Sequence, residues 1–151
     1  YKGSVEQIGR KLKEISTAPG YDVQLFFERV VFNFVIGNGD AHLKNYSISY
    51  KDRETIRLAP AYDIVCSKLV IPDETDSALT INGKNNKLKR EDFNKVADYL
   101  NVPSKIRYEK FEKSLNLMET VIKRSKIKNE SQKKFVGIII ERLSRLGFVE
   151  R

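Results

Sequence analysis

Asp40, His42, Lys44 and Asn45 lie within one short stretch, and a further acid, Asp63, follows 18 positions after Asn45. A carboxylate can accept or orient the proton of an attacking hydroxyl. A second carboxylate and a carboxamide offer the hard oxygen ligands that Mg²⁺ takes, usually one or two protein groups completed by phosphate oxygens and water. Together these are the parts of a metal-assisted phosphoryl transfer. Singly, each has a plainer reading. An Asp in a loop after a helix is usually a cap or turn residue, a lone His is more often structural than a ligand, and a Lys is more often solvated. The weight rests on their joint occurrence.

The surrounding elements decide whether these residues can meet. Residues 22–36 are apolar nearly all round and predict a helix inside a domain rather than on its surface. Gly37 fits the position just past the helix end. The polar stretch Asn38-Gly39-Asp40-Ala41-His42-Leu43-Lys44 reads as an irregular loop. Residues 45–50 alternate polar and apolar and predict a strand, 51–54 a turn, and 55–58 the returning strand. A hairpin leaves and returns to nearly the same point. Asn45 at its start and Asp63 just past its end can therefore be neighbours. The five-residue offset from Asp40 to Asn45, with a downstream acid, is also the order that protein kinases use for catalytic-loop Asp, catalytic-loop Asn and metal-binding Asp.

The rest of the chain is mostly helical. Ser4 and Gln7 form a capping-box pattern ahead of Val5, Ile8, Leu12 and Ile15, and Thr17-Ala18-Pro19-Gly20 stops that helix. Residues 64–83 resist assignment, with Pro72 and Gly83 as breakers. Three more helices are expected. The first covers 91–100, with Phe93, Val96, Ala97 and Leu100 inward. The second starts near Pro103 and carries Tyr108, Phe111, Leu115, Met118 and Ile122. The third covers 131–146 and stops at Gly147. The expectation is one mainly α (α+β) domain over 1–151, with a small hairpin inserted after a buried helix.

Composition bounds the function. The chain has 151 residues, 40% of them hydrophobic and 32% charged, which fits one globular domain and no membrane span. One cysteine and one histidine exclude a disulfide framework and any multi-Cys or multi-His metal site. Cys66 reads as a small buried residue, since no second His exists to activate it. The lack of disulfides fits a cytoplasmic protein, and a start at Tyr1 suggests a piece of a longer one. The net charge of +8 is unevenly spread: residues 84–151 hold 18 Lys/Arg against 9 Asp/Glu, whereas 1–83 are nearly balanced. Such asymmetry suits a polyanionic partner, but the interleaved acids favour solvated helix faces.

The stretch Phe32-Asn33-Phe34-Val35-Ile36-Gly37-Asn38-Gly39-Asp40-Ala41-His42-Leu43-Lys44-Asn45-Tyr46-Ser47-Ile48 resembles the catalytic loop of HipA-like serine/threonine kinases, the kinase toxins of bacterial toxin–antitoxin modules. Leu58-Ala59-Pro60-Ala61-Tyr62-Asp63-Ile64 resembles their metal-binding segment, and Ile81-Asn82-Gly83-Lys84 a weaker family feature. The resemblance implies a protein-kinase-like C-terminal lobe using ATP and Mg²⁺. It implies that Asp40 handles the acceptor hydroxyl and that Asn45 and Asp63 bind the metal. It implies that His42, Lys44 and Tyr62 line the ATP phosphates or the metal site. It further implies a protein substrate, a DNA-binding antitoxin partner with DNA contacted only indirectly, and a separate N-terminal kinase lobe.

No Gly-rich phosphate loop or candidate strand lysine precedes Tyr21, so the chain reads as the C-terminal lobe alone, inactive or weak by itself. Two other readings stand beside this one. The Asp-x-His-x-x-Asn loop is also similar to that of lipid kinases, so a lipid- or small-molecule kinase lobe is an alternative. The other is a non-catalytic basic interaction module. Intact Asp40, Asn45 and Asp63 argue against the last, because losing any one should abolish metal-assisted transfer.

Overall fold

Ser4 opens the first helix as its side chain requires. In the computed structural model, which describes residues 3–52 and 54–150, the Ser4 hydroxyl accepts the Gln7 N–H at 3.1 Å, and the Gln7 side chain accepts the Ser4 N–H at 3.0 Å. This reciprocal pair caps α1 (Val5–Ile15). The next helix, α2 (Pro19–Val35), begins three residues before the expected start. Pro19 takes its first turn, where a missing N–H costs nothing. The same short run therefore ends one helix and opens the next. Phe26, Phe27, Val31 and Val35 of α2 are fully buried, and α1 and α5 (Asn129–Arg145) pack against it.

Gly37 ends α2 with φ of +72°, and Asn38 N–H reaches back to the Asn33 carbonyl at 2.8 Å. Two constraints select glycine here. The left-handed backbone disfavours a side chain, and a Cβ would lie 2.8 Å from Ile138 Cγ2.

The hairpin is present but shorter than expected. β1 (Ile48–Tyr50) pairs antiparallel with β2 (Ile56–Leu58), Ile48 opposite Leu58 and Tyr50 opposite Ile56. Residues 45–47 do not extend β1, because Leu43–Asn45 form a single 3-10 turn. Asn45 bonds back to His42 through both its main chain and its side chain, and such local bonds compete with the ladder.

Asp22 of α2 fastens the hairpin to the core. Its buried carboxylate takes two guanidinium nitrogens of Arg57 at 2.8–3.1 Å, the Leu58 N–H at 2.9 Å and the Ser16 hydroxyl at 2.6 Å. Burial alone would raise the Asp22 carboxyl. The Arg57, Ser16 and Leu58 donors outweigh it and hold the group below its ordinary value.

Between β2 and the next helix the chain makes a 3-10 turn at Ser67–Leu69 and continues through turns and bends, with Thr80 bridging to Ser4. Ile81 and Lys84 close a tight turn in which Asn82 and Gly83 both have positive φ, the geometry that favours Asn-Gly. The Asn82 and Lys84 side chains bond Asp92 at 2.8 and 2.9 Å, while Asn82 N–H meets Glu6. This motif therefore ties α1 to the start of α3 (Arg90–Tyr99). As expected, Phe93, Val96, Ala97 and Leu100 are buried.

The helix expected from Pro103 does not form in one piece. A 3-10 turn at Ser104–Ile106 and an irregular stretch precede α4 (Leu115–Lys123). Bonds to α3 and to the residue Val102 just past it account for the break. Arg107 turns back to the Val102 carbonyl at 2.9 Å and to Asp98 at 2.5 Å, and Tyr108 OH reaches Asn94 at 2.8 Å. Tyr108, Phe111 and Ile122 are buried nonetheless. Helix α5 carries Arg142 and Arg145, which pair with the buried Asp76 and lie over the Phe34 ring at 4.9 and 5.0 Å. Among the described residues no helix is long and apolar enough to cross a membrane.

Candidate active site

The end of α2, the 3-10 turn at Leu43–Asn45 and the segment leaving β2 meet on one face of the domain. Asn45 and Asp63 touch directly: Asn45 Nδ2 donates to Asp63 Oδ2 at 2.7 Å. The orientation of the Asn45 amide is fixed by its other end, since Oδ1 accepts the His42 N–H at 2.9 Å. A carbonyl oxygen has two lone pairs, so Asn45 Oδ1 keeps one for a further partner, and the Asp63 carboxylate that meets the nitrogen of the same amide offers hard oxygens of its own.

Asp63 adopts φ of +55°. This left-handed backbone is uncommon for residues other than glycine but is tolerated by Asp and Asn. Three contacts hold it. Asn38 Nδ2 donates to the Asp63 carbonyl at 3.3 Å, Arg29 Nη2 donates to the Ala59 carbonyl at 2.8 Å, and Tyr62 OH donates to the Lys44 carbonyl at 2.6 Å. Asn38 is itself held by Asn33, whose Oδ1 accepts from it at 3.0 Å, and Asn33 Nδ2 reaches Tyr46 OH at 3.3 Å. The Tyr46 ring packs edge-on against Phe26, and burial pushes its phenol up. Burial pulls the Arg29 guanidinium down, opposed by the nearby Tyr46 and Tyr62.

The geometry sorts the residues singled out from the sequence. Asn45 and Asp63 come together as expected. Asp40 is exposed, and among the described residues no hydrogen bond engages its carboxylate. His42 is half-buried and joins Asn45 through the backbone. Lys44 and Tyr62 are both exposed and are joined by the phenol–carbonyl bond, so Tyr62 clamps the two segments together. Asn33, Asn38 and Arg29 were not singled out. The one available signal was the presence of Asn33 and Arg29 in a helix that is otherwise nearly all apolar.

Among the described residues no three His, Cys, Asp or Glu side chains cluster as a metal cage. A pair of oxygens like Asn45 and Asp63 suits a cation that keeps water and phosphate ligands. A largely apolar groove of about 620 Å³ lies between α2, α4 and α5 against Ile64 and does not include Asp40, Asn45 or Asp63.

The family profile described as "HipA-like C-terminal domain" matches residues 1–137. The chain belongs to the HipA-like C-terminal domain family. Over 82 residues it is 48% identical to a Sinorhizobium fredii protein named "Putative kinase Y4dM", a match covering 54% of this chain and 19% of that protein. Over 62 residues it is 32% identical to a Haemophilus influenzae protein named "Putative kinase", covering 41% of this chain and 18% of the relative. The HipA-like domain thus matches about a fifth of the length of these curated relatives. Its fold is that of a chain in the solved complex of Shewanella oneidensis HipA, HipB and operator DNA. The TM-score is 0.78 at 16% identity, covering 97% of this chain and 36% of that one.

Proposed function

We propose that this HipA-like domain, residues 1–151 as one unit, is the C-terminal catalytic lobe of a serine/threonine protein kinase. In this reading it transfers phosphate from ATP to a protein hydroxyl as the toxin of a toxin–antitoxin pair. The contact between Asn45 and Asp63 carries the reading, because it joins a carboxamide and a carboxylate, both hard-oxygen ligands, while among the described residues no hydrogen bond engages the Asp40 carboxylate. Asn45 Oδ1 and Asp63 would hold Mg²⁺, which when bound neutralises charge on the phosphates. Asp40 receives the acceptor hydroxyl and takes its proton. His42, Lys44 and Tyr62 line the ATP phosphates or the metal site. Lys44 can offset charge developing on the transferred group. An N-terminal lobe would supply the phosphate-covering loop and its lysine. The Shewanella HipA is in a complex with HipB and operator DNA, which supports a DNA-binding antitoxin as partner here.

The test is Mg²⁺-dependent transfer from labelled ATP by the full-length protein, with Asp40→Ala and Asp63→Ala controls of unchanged thermal stability. Labelling of protein serine or threonine that disappears in both variants is the expected result. Transfer that survives Asp40→Ala, or labelling confined to lipid or small-molecule acceptors, would overturn it.

A further inference from the structure

One hydroxyl joins the segment that follows Asp63 to the loop that precedes Asp40. Ser67 Oγ accepts the Gly39 N–H at 2.9 Å and donates to Glu74 Oε2 at 2.5 Å. Beside it, Lys68 N–H reaches the Gly37 carbonyl at 3.1 Å, and Lys68 Nζ donates to the Glu74 carbonyl at 2.7 Å. Residues 67–74 are thereby closed into a loop that lies against residues 37–39. The approach is tight. A Cβ on Gly39 would stand 2.4 Å from the Thr75 carbonyl oxygen and 2.5 Å from the Glu74 carboxylate carbon. Gly39 is buried, and the next residue, Asp40, is exposed.

The bonding has a fixed direction. A serine hydroxyl has one proton and two lone pairs. The Glu74 carboxylate, at 2.5 Å, takes the proton in preference to the Gly37 carbonyl at 3.4 Å, so a lone pair faces the Gly39 N–H, and a charged acceptor strengthens the chain of bonds. Asp63 lies four residues before Ser67, and Asp40 lies one residue after Gly39. The bond therefore spans the two segments that carry the two carboxylates. We infer that Ser67 and Glu74 are positioning residues that fix Asp40 relative to Asp63. This rests on the roles proposed for those two aspartates. Neither Ser67 nor Glu74 touches the reacting atoms. They act by holding the Gly39 main chain, and misplacement of a reacting group by about 1 Å can cost about 10²-fold in rate.

The experiment compares Ser67→Ala, Ser67→Thr and wild type in the full-length protein, measuring kcat and the KM for ATP. Amide hydrogen exchange at Gly39 is followed by NMR in the same proteins. The expected result is a kcat about 10- to 100-fold lower in Ser67→Ala with KM within about twofold. Threonine, which keeps the hydroxyl, should restore kcat to within about threefold of wild type. A purely structural role would lower stability without this split. A kcat for Ser67→Ala within about twofold of wild type overturns the inference, and so does a Ser67→Thr protein as slow as Ser67→Ala. If wild type transfers no phosphate at all, the kinase reading fails separately, and Gly39 still reports on the clamp. Exchange at least about tenfold faster in Ser67→Ala, with α3 amides unchanged, supports the clamp. Equal exchange removes it.

Discussion

The side-chain amide of Asn38 donates to the main-chain carbonyl of Asp63, 25 positions along the chain, at 3.3 Å. One end of this bond lies three residues past the buried helix α2, and the other lies on the left-handed residue that meets Asn45. Asn38 is buried and also bonds Asn33. Replacing it with alanine leaves the Asn33 oxygen and the Asp63 carbonyl without their donor. An unsatisfied buried group costs about 1–3 kcal/mol. Asn38→Ala should therefore lose about that much stability in urea unfolding. It should also relax the left-handed backbone at Asp63, so transfer should fall more than the loss of folded protein explains. A variant with unchanged unfolding midpoint would show that the amide ladder does not hold the segment.

Asp63→Asn isolates charge from geometry. Asparagine enters the left-handed region as readily as aspartate, and its side-chain oxygen can still accept from Asn45 Nδ2. The fold should be unchanged, with stability within about 0.5 kcal/mol of wild type. The missing negative charge should show as lost Mg²⁺-dependent nucleotide binding and as transfer reduced about 10³-fold, given the several kcal/mol that metal-borne charge stabilisation supplies. Transfer within tenfold of wild type would remove Asp63 from the proposed metal site.

Gly37→Ala tests the turn that launches the loop carrying Asp40 and Asn45. The left-handed conformation costs a side chain about 1–2 kcal/mol. The overlap with Ile138 Cγ2 adds an overpacking penalty of about 1–3 kcal/mol. The expected loss is about 3 kcal/mol by thermal or denaturant unfolding, and Gly37→Asn should recover part of it. An alanine variant as stable as wild type would mean that the turn adapts without strain.

The meeting of Asn45 with Asp63 was legible because it is local. The Asp40–Asn45 offset, the buried helix before it and the closing hairpin are all written in short-range pattern, and the Asn45–Asp63 contact follows from the hairpin's return. What was illegible depends on partners distant in the chain. Arg107 and Tyr108 bond α3, and that interrupts a helix which spacing alone makes continuous. Asn45 turns back on His42, and that shortens β1. The ion pairs of Asp22 with Arg57 and of Asp76 with Arg142 join residues 35 and 66 positions apart. The sequence offered only the oddity of an acid in a nearly all-apolar helix. The Ser67–Glu74 bond lies in the stretch that resisted assignment, because no period of two or 3.6 organises a loop closed by side chains.

The buried pairing of Asp76 with Arg142 and Arg145 sets how the fold responds to acid. Burial would raise the Asp76 carboxyl, but Arg145, the Leu88 N–H and Arg142 outweigh it and hold the group below its ordinary value of 3.8. Asp22 and Asp92 are also held low, against burial, Asp22 chiefly by Arg57 and Asp92 by Asn82 and Lys84. A carboxyl with a lower pKa folded than unfolded binds fewer protons in the folded state. Its stabilisation is complete above the unfolded value and is lost as pH falls through the folded one. Stability should thus be nearly level from neutral pH down to about 5 and drop steeply below about 4, as these three groups are protonated. Asp76→Asn removes one of them and leaves two arginines facing a neutral amide in the interior. Breaking such a pair costs about 3–5 kcal/mol. The variant should be less stable by about that amount at pH 7, and its unfolding free energy should fall less between pH 5 and pH 3 than that of wild type. Parallel curves for the two proteins, measured by urea unfolding at each pH, would show that Asp76 contributes nothing to the acid limb.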